Sequence, residues 1–326
     1  MGGQRQAGTS VRLTDTPDAE SYPGPFFPPR IHRNMVIPLK RLRLATLAAL
    51  TAFVAPEVST AAPATLRVLT FNVWGIWGIT PSREARIAAI GPAVARLQPD
   101  LVAFQEVWVD ADADRLARDL RAAGLPHTRR FTSTWPGHSG LMIASRYPIE
   151  RTAFLEYDEG THPSIPWHVD WIAGKGIAVT RVRTPFGPVN FANTHVQAAY
   201  GDVDAYDTVQ LAQLLQAAEF LDGPGEIPLV IAGDLNVTCD SYVFRAFALR
   251  SGASPSDPNC GIDSISARPG ADQRLVPTEV TKVLTEDVSL EDGQRRPLSD
   301  HPAVLAVFQP SPVESRLAGL SISPTA

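Results

Sequence analysis

The chain has 326 residues, 29 Lys+Arg against 34 Asp+Glu, and is 44% hydrophobic and 19% charged, so it can bury a substantial core and is not a disordered polypeptide. Two cysteines are too few for a disulfide scaffold or a cysteine-based zinc cluster. A net charge of −5 argues against non-specific coating of nucleic acid, which draws its affinity from clustered Lys and Arg, but it leaves open an enzyme that cuts nucleic acid.

Residues 1–34 are polar and Pro-rich without apolar periodicity, and read as an unstructured upstream extension, with Met35 as the initiator. Lys40, Arg41 and Arg43 then form a basic region before the apolar run Leu44 to Ala55. That run is shorter than the roughly 20 residues a bilayer span needs, so 35–62 reads as a cleaved secretory signal rather than a core helix or an anchor. The expected location is secreted or periplasmic. Cys239 and Cys260 would then mature where a disulfide persists, and a bridge is favoured over two free thiols.

From Thr65 on, short apolar or β-branched runs alternate with helical patterns. Strands are predicted at 66–74, 100–107, 140–147, 176–184, 189–196, 227–237 and 304–308, with a hairpin turn at 185–188. Helices are predicted at 83–97, 113–123 and 208–221. This order implies an α/β sandwich in which helices cover mainly antiparallel sheets, as one domain from 65 to 310. The stretch 264–297 is polar and weakly periodic, a surface excursion or an edge hairpin, and 311–326 reads as a flexible tail.

Polar residues interrupt or end several of these strands: Asn72 in LTFNVW, Glu106 after LVAFQ, His195 in FANTH, Asp234 and Asn236 in LVIAGDLNV, and Asp300-His301 before VLAVF. A buried carboxylate or amide is costly unless it is paired or binds a metal. Each residue alone has an ordinary structural reading. Together they form an oxygen-rich inventory that suits Mg²⁺, and the lack of a Cys or a His-x-x-x-His pair among them disfavours zinc.

TFNVWG, FQEVW, HSGLMIASRYPI, NTHVQA, GDLNV and SDHPAV occur in the order found in the endonuclease/exonuclease/phosphatase superfamily, which the chain resembles from about 66 to 308. HVDWIAGKGIAV, THVQAAY and the tryptophan of FQEVW resemble the neutral sphingomyelinase branch more than the DNA-repair nucleases. The resemblance implies a four-layer, DNase-like α/β sandwich of two mainly antiparallel sheets flanked by helices. It also implies an Mg²⁺-dependent phosphodiesterase, with Mn²⁺ an acceptable substitute. Glu106 would be the primary metal ligand with Asn72 beside it. His301 would be the general base, oriented by Asp300 or Asp263; Asn236 and His195 would donate to the phosphate, and Asp234 would either support the groups that hold the ion or position water. Lys175 would add charge at the phosphate, paired at rest with Asp170; the ordinary reading of that pair is a surface salt bridge worth under about 1 kcal/mol. GIDSIS departs from the Arg-Ile-Asp-Tyr stretch of many relatives: Asp263 matches, but the arginine and tyrosine are missing.

The expected reaction is hydrolysis of sphingomyelin to ceramide and phosphocholine at a membrane surface, by a monomer without an obligate protein partner. Tryptophans on loops around the site would suit such an interface. Rival readings are a secreted nuclease acting on nucleic acid, an inositol-lipid phosphatase or phospholipase C, and an inactive binding module.

Overall fold

The computed structural model describes residues 11–12, 65–133, 138–160, 173–200, 203–223 and 225–313. The signal segment 35–62, Asp170, Trp135, Trp167, Trp171 and the tail beyond 313 lie outside the described residues.

Two sheets stack face to face. The first is built in the order β12 (Gln273–Val283), β15 (Ala303–Pro312), β2 (Leu66–Asn72), β3 (Leu101–Gln105), β5 (Met142–Ser145), β4 (His127–Arg130). The second runs β1 (Val11–Arg12), β6 (Ile149–Glu156), β7 (Gly176–Thr184), β8 (Gly187–His195), β9 (Leu229–Asp234), β11 (Asp263–Arg268), β10 (Ser254–Pro255). A small hairpin, β13 (Val288–Ser289) and β14 (Arg295–Arg296), stands apart. Among the described residues every pairing is antiparallel except one in each of these two sheets, β2 with β3 and β8 with β9. Parallel neighbours need a crossover, supplied by α1 (Arg83–Leu97) in the first sheet and α3 (Val203–Phe220) in the second. With α2 (Asp110–Ala122) and α4 (Tyr242–Ser251) the layers run helix, sheet, sheet, helix, as expected. Among the described residues no helix is long and apolar enough to cross a membrane.

Three apolar cores hold the layers together. Ile87, Ile90 and Val94 of α1 and Leu116 and Leu120 of α2 pack on Leu69, Phe71 and Phe104 of the first sheet. Leu214 and Leu221 with Phe244 and Phe247 pack on Ile177, Val179 and Ile231 of the second. Between the sheets lie Leu66, Val68, Leu101, Ile143, Phe191, Val230 and Ile265.

Side chains alternate along a strand with period two, so each inter-sheet face can be followed residue by residue. In β2 it passes from Leu66 and Val68 to Thr70 and then Asn72; in β8 from Val189 and Phe191 to Asn193 and His195; in β9 from Val230 and Ala232 to Asp234. Polarity therefore rises toward one end of both sheets. At the middle step a fully buried polar bolt joins them: Gln105 Nε2 donates to Asn193 Oδ1 (2.7 Å) and to Thr70 Oγ1 (3.1 Å), while Asn193 Nδ2 donates to the carbonyls of Phe104 (2.8 Å) and Met142 (3.1 Å). Truncating one member of such a network strands the others away from water. Asn193→Ala is expected to cost about 2–4 kcal/mol, read as a lower chemical-denaturation midpoint; an unchanged midpoint would show that the bolt carries no stability.

The structure differs from the sequence expectations in several places. α2 begins at Asp110, three residues early, because Asp110 and Asp112 in its first turn favour the helix dipole. α4, β4 and β6 were not anticipated. The stretch 264–297 supplies β11 and the long edge strand β12, whose polar residues face solvent and whose Pro277 sits at a register shift, where a sheet tolerates proline. β15 extends to Pro312, paired with Gln273, so the domain runs two residues past 310. Val11–Arg12 adds a short edge beside Phe154 and Leu155, within the stretch read as unstructured, because the free edge of β6 accepts a partner.

Candidate active site

The site lies at the polar end of both sheets, outside the carboxyl ends of the two parallel pairs, where α/β sheets commonly bind ligands. Asn72 ends β2, Glu106 follows β3, His195 ends β8, Asp234 ends β9, and the antiparallel partners bring Asp263 and His301 to the same place. In the second sheet His195, Asp234 and Asp263 are direct cross-strand neighbours. The two sheets meet where Asn72 Nδ2 donates to Glu106 Oε1 and to Asp234 Oδ2, each at 3.1 Å.

Backbone geometry aims several of these groups. Glu106 (φ 61°), Asn236 (φ 52°) and Trp74 (φ 50°) occupy the left-handed region, which non-glycine residues adopt at a cost and mainly where the surroundings enforce it. At Glu106 this turn breaks the strand alternation, which would otherwise send the side chain to the helix-covered face. The loops after β2 and β3 touch closely: a β-carbon on Gly75 would sit 2.3 Å from the Glu106 carbonyl oxygen, which accounts for the glycine in TFNVWG. Gly140 (φ +70°) likewise lies under the ring of Trp108.

His301 Nδ1 lies 2.8 Å from Asp263 Oδ2 and 3.8 Å from Asp234 Oδ2. Burial pulls the imidazole pKa down, but the Asp263 hydrogen bond and the charges of Asp234, Asp263 and Asp300 outweigh it and push the pKa up to about 9. Of the two candidates for orienting this ring, Asp263 makes the contact. Asp300 is exposed, lies 3.2 Å from Ser299 Oγ, whose hydrogen goes to the Asn72 carbonyl, and acts on the ring only through its charge. Asp263 reaches the imidazole from the GIDSIS stretch, between Ile262 and Ser264.

Asp234 is buried, and burial followed by repulsion from Asp263 raises its pKa to about 7. Its Oδ1 accepts the backbone N–H of Asn236 at 3.0 Å. Asn236 Nδ2 donates to the Val196 carbonyl at 2.9 Å, which uses one of its two amide hydrogens. Lys175 is buried rather than at an open surface; its Nζ donates to the same carbonyl at 2.7 Å and lies 3.0 Å from His195 Nε2. Burial, then the charges of Lys175 and His301, hold His195 well below its ordinary pKa. A neutral ring that accepts from Lys175 at Nε2 carries its proton on Nδ1, a buried nitrogen with no hydrogen-bond partner among the described residues.

Glu106, Asn72 and Asp234 could hold a divalent cation: two carboxylates converge on one amide, and among the described residues the Asn72 side-chain oxygen accepts from the Trp74 N–H at 3.0 Å, leaving a carbonyl lone pair. The donors are all oxygen, which suits Mg²⁺ or Mn²⁺. Asp234, Asp263 and His301 also gather ligand atoms within 4.8 Å of one another. The supports that sequence reading missed are Thr70, Gln105, Asn193, Ser299 and Arg86; the strand period could have pointed to the first three.

A four-layer sandwich with amide, carboxylate and imidazole groups converging from both sheets defines a phosphoesterase-like class of fold and site. Residues 69–301 match the Endonuclease/Exonuclease/phosphatase family, and the chain belongs to it. It is 30% identical over 279 residues to a Drosophila melanogaster protein named "Putative neutral sphingomyelinase", covering 77% of this chain and 62% of that one. It is 34% identical over 177 residues to the inositol phosphosphingolipids phospholipase C of Schizosaccharomyces pombe, covering 53% and 41%. The chain thus spans less than two thirds of each relative's length. Among solved structures, sphingomyelinase C from Streptomyces griseocarneus superposes with a TM-score of 0.56 at 22% identity, over 75% of this chain and 99% of that one, a likeness of fold.

Proposed function

We propose that the chain is an exported, Mg²⁺-dependent phosphodiesterase that hydrolyses sphingomyelin to ceramide and phosphocholine at a membrane surface. The observation that carries this reading is the convergence of Asn72, Glu106 and Asp234 with the His301–Asp263 pair. The names of the two sequence relatives support a phosphosphingolipid as substrate.

Phosphodiester hydrolysis needs charge stabilisation at the phosphoryl group and an activated water in line with the leaving group. Glu106 and Asn72 would hold the ion, with Asp234 adjoining; when bound, it supplies Lewis-acid stabilisation at a non-bridging phosphoryl oxygen. In its neutral form, which in the metal-free protein is populated as pH rises toward 9, His301 takes the proton of the attacking water at Nε2, while Asp263 holds Nδ1–H and steadies the imidazolium that forms. Asn236 donates to the phosphate through its free amide hydrogen, and His195, with Nε2 3.6 Å from Asp234 Oδ2, lines the same end of the site. Lys175 fixes the His195 tautomer and contributes positive charge behind it.

A lipid is favoured over nucleic acid by the rim. Trp77 (75% exposed) and Ile79 (62%) follow β2, Tyr200 follows β8, and Tyr242 opens α4 after the β9 loop. Exposed aromatic side chains on the loops that surround a site suit the wet edge of a bilayer, and the acidic net charge suits a zwitterionic surface better than a polyanion. Export is supported by the Cys239–Cys260 disulfide, a bond that persists in oxidising compartments.

The test is phosphocholine release from sphingomyelin vesicles by protein starting near Ala64, with Mg²⁺ and with EDTA, beside a DNA substrate. Mg²⁺-dependent release is expected, with Trp77→Ala weakening vesicle binding several-fold at unchanged turnover of a soluble substrate. Cleavage of DNA without lipid hydrolysis would move the chain to the nucleases, and activity that survives EDTA would refute the metal.

A further inference from the structure

Arg86, in the first turn of α1, is 0% exposed, and among the described residues no carboxylate hydrogen-bonds to it. Its guanidinium instead binds four carbonyls on three segments. Nε donates to Pro81 (3.0 Å), Nη1 to Val73 (2.9 Å) and Leu298 (2.8 Å), and Nη2 to Trp74 (2.7 Å), with the Trp74 ring 5.0 Å from Cζ. A buried cation satisfied only by carbonyls is expensive to keep, and a fork this rigid fixes the relative positions of whatever it binds.

What it binds flanks the site on both sides. Val73 and Trp74 follow directly on Asn72, and the Trp74 N–H is the donor that holds the Asn72 oxygen. Leu298 precedes Ser299, whose Oγ donates to the Asn72 carbonyl at 2.7 Å and accepts the His301 N–H at 3.2 Å. One guanidinium thus links the chain just after a proposed metal ligand to the chain that carries the proposed base. Asp300, next to that base, exerts the largest attraction of any charged group on Arg86.

We propose that Arg86 is a positioning residue for the reaction: it sets the separation between the Asn72–Glu106 end of the site and His301 by tying the Val73, Trp74 and Leu298 carbonyls to one rigid fork. The inference rests on the metal-dependent phosphodiesterase reading. It touches neither substrate nor ion, so its effect should fall on turnover and metal affinity rather than on substrate binding. Lysine keeps the charge but cannot bridge three segments.

The experiment compares wild type with Arg86→Lys and Arg86→Ala for kcat and KM on sphingomyelin vesicles, for Mg²⁺ binding by calorimetry, and for thermal melting. Arg86→Lys is expected to unfold cooperatively, to lose at least tenfold in kcat with KM changed less than threefold, and to bind Mg²⁺ several-fold more weakly. Low-millimolar guanidinium should restore part of the activity of Arg86→Ala but none in His301→Ala. Wild-type kcat and Mg²⁺ affinity in folded Arg86→Lys, or losses that only follow its unfolded fraction, would overturn the proposal. If Arg86→Ala does not fold, Arg86→Lys decides. If the wild type hydrolyses no sphingomyelin, the functional reading fails, while calorimetry still decides for Arg86: weaker Mg²⁺ binding upholds the positioning role and equal binding removes it.

Discussion

Replacing His301 with glutamine is expected to lower kcat by about 10²–10⁴-fold, the usual contribution of a positioned general base, with little change in KM. The ring is the only group among the described residues that combines an Asp263 contact at 2.8 Å with an exposed edge at the site. The variant also loses the cation that sits between Asp263 and Asp234, so the metal-free protein should melt earlier. The sign of the pH dependence follows from the same pair. The folded pKa of His301, about 9 against an ordinary 6.5, gives stability fully present below about pH 6.5 and lost as pH rises through about 9. Asp234, raised from 3.8 to about 7, favours its protonated form in the folded state, so stability declines further between about pH 4 and 7. Metal-free wild type should therefore melt progressively earlier from pH 5 to 9, and His301→Gln should flatten the upper part of that slope. A variant that keeps activity within tenfold of wild type would remove His301 from the base role.

Glu106→Gln is expected to weaken Mg²⁺ binding and to reduce turnover at fixed Mg²⁺ by at least about 10²-fold, because changes even to groups supporting metal ligands cost 10–100-fold. The substitution is close to isosteric, and a glutamine oxygen can still accept from Asn72 Nδ2 as Glu106 Oε1 does at 3.1 Å. The melting temperature of the metal-free protein should therefore hardly move, while its rise on adding Mg²⁺ should vanish. Mg²⁺ titrations followed by calorimetry and by melting distinguish the two effects. Unchanged Mg²⁺ affinity would place the ion elsewhere, with the Asp234–Asp263–His301 group as the next site to examine.

Much of the site was legible in the sequence because strand periodicity acts on single residues. Asn72 and Asp234 stand in phase with the apolar residues that face the opposite sheet, so an amide or carboxylate there had to be buried at a strand end. Glu106 was placed by its motif and not by phase, since the left-handed turn that aims it breaks the alternation. Asp263 and Asp300 could not be separated beforehand, because both stand near His301 in chain or motif order and only the β9–β11 register brings one carboxylate to the ring. Lys175 was expected near the phosphate, but its burial behind His195 depends on the β7–β8 pairing. Arg86 left no sequence signal: an arginine in the first turn of an amphipathic helix ordinarily faces solvent, and its carbonyl partners are set by the tertiary fold. The edge strand β12 was obscured because one of its faces is solvated and a register shift interrupts its period.

The contacts that complete the site are among the most distant along the chain: Asn72 to Asp234 spans 162 residues, Arg86 to Leu298 spans 212, and Ser299 to Asn72 spans 227. Non-local pairings of this kind form late, after the entropy of closing long loops has been met. The Cys239–Cys260 bridge, by contrast, closes a separation of only 21 residues and can form while the rest of the chain is still open. Recovery of activity during refolding should accordingly trail the recovery of secondary structure, since neither half of the molecule holds a usable site until the two sheets have docked.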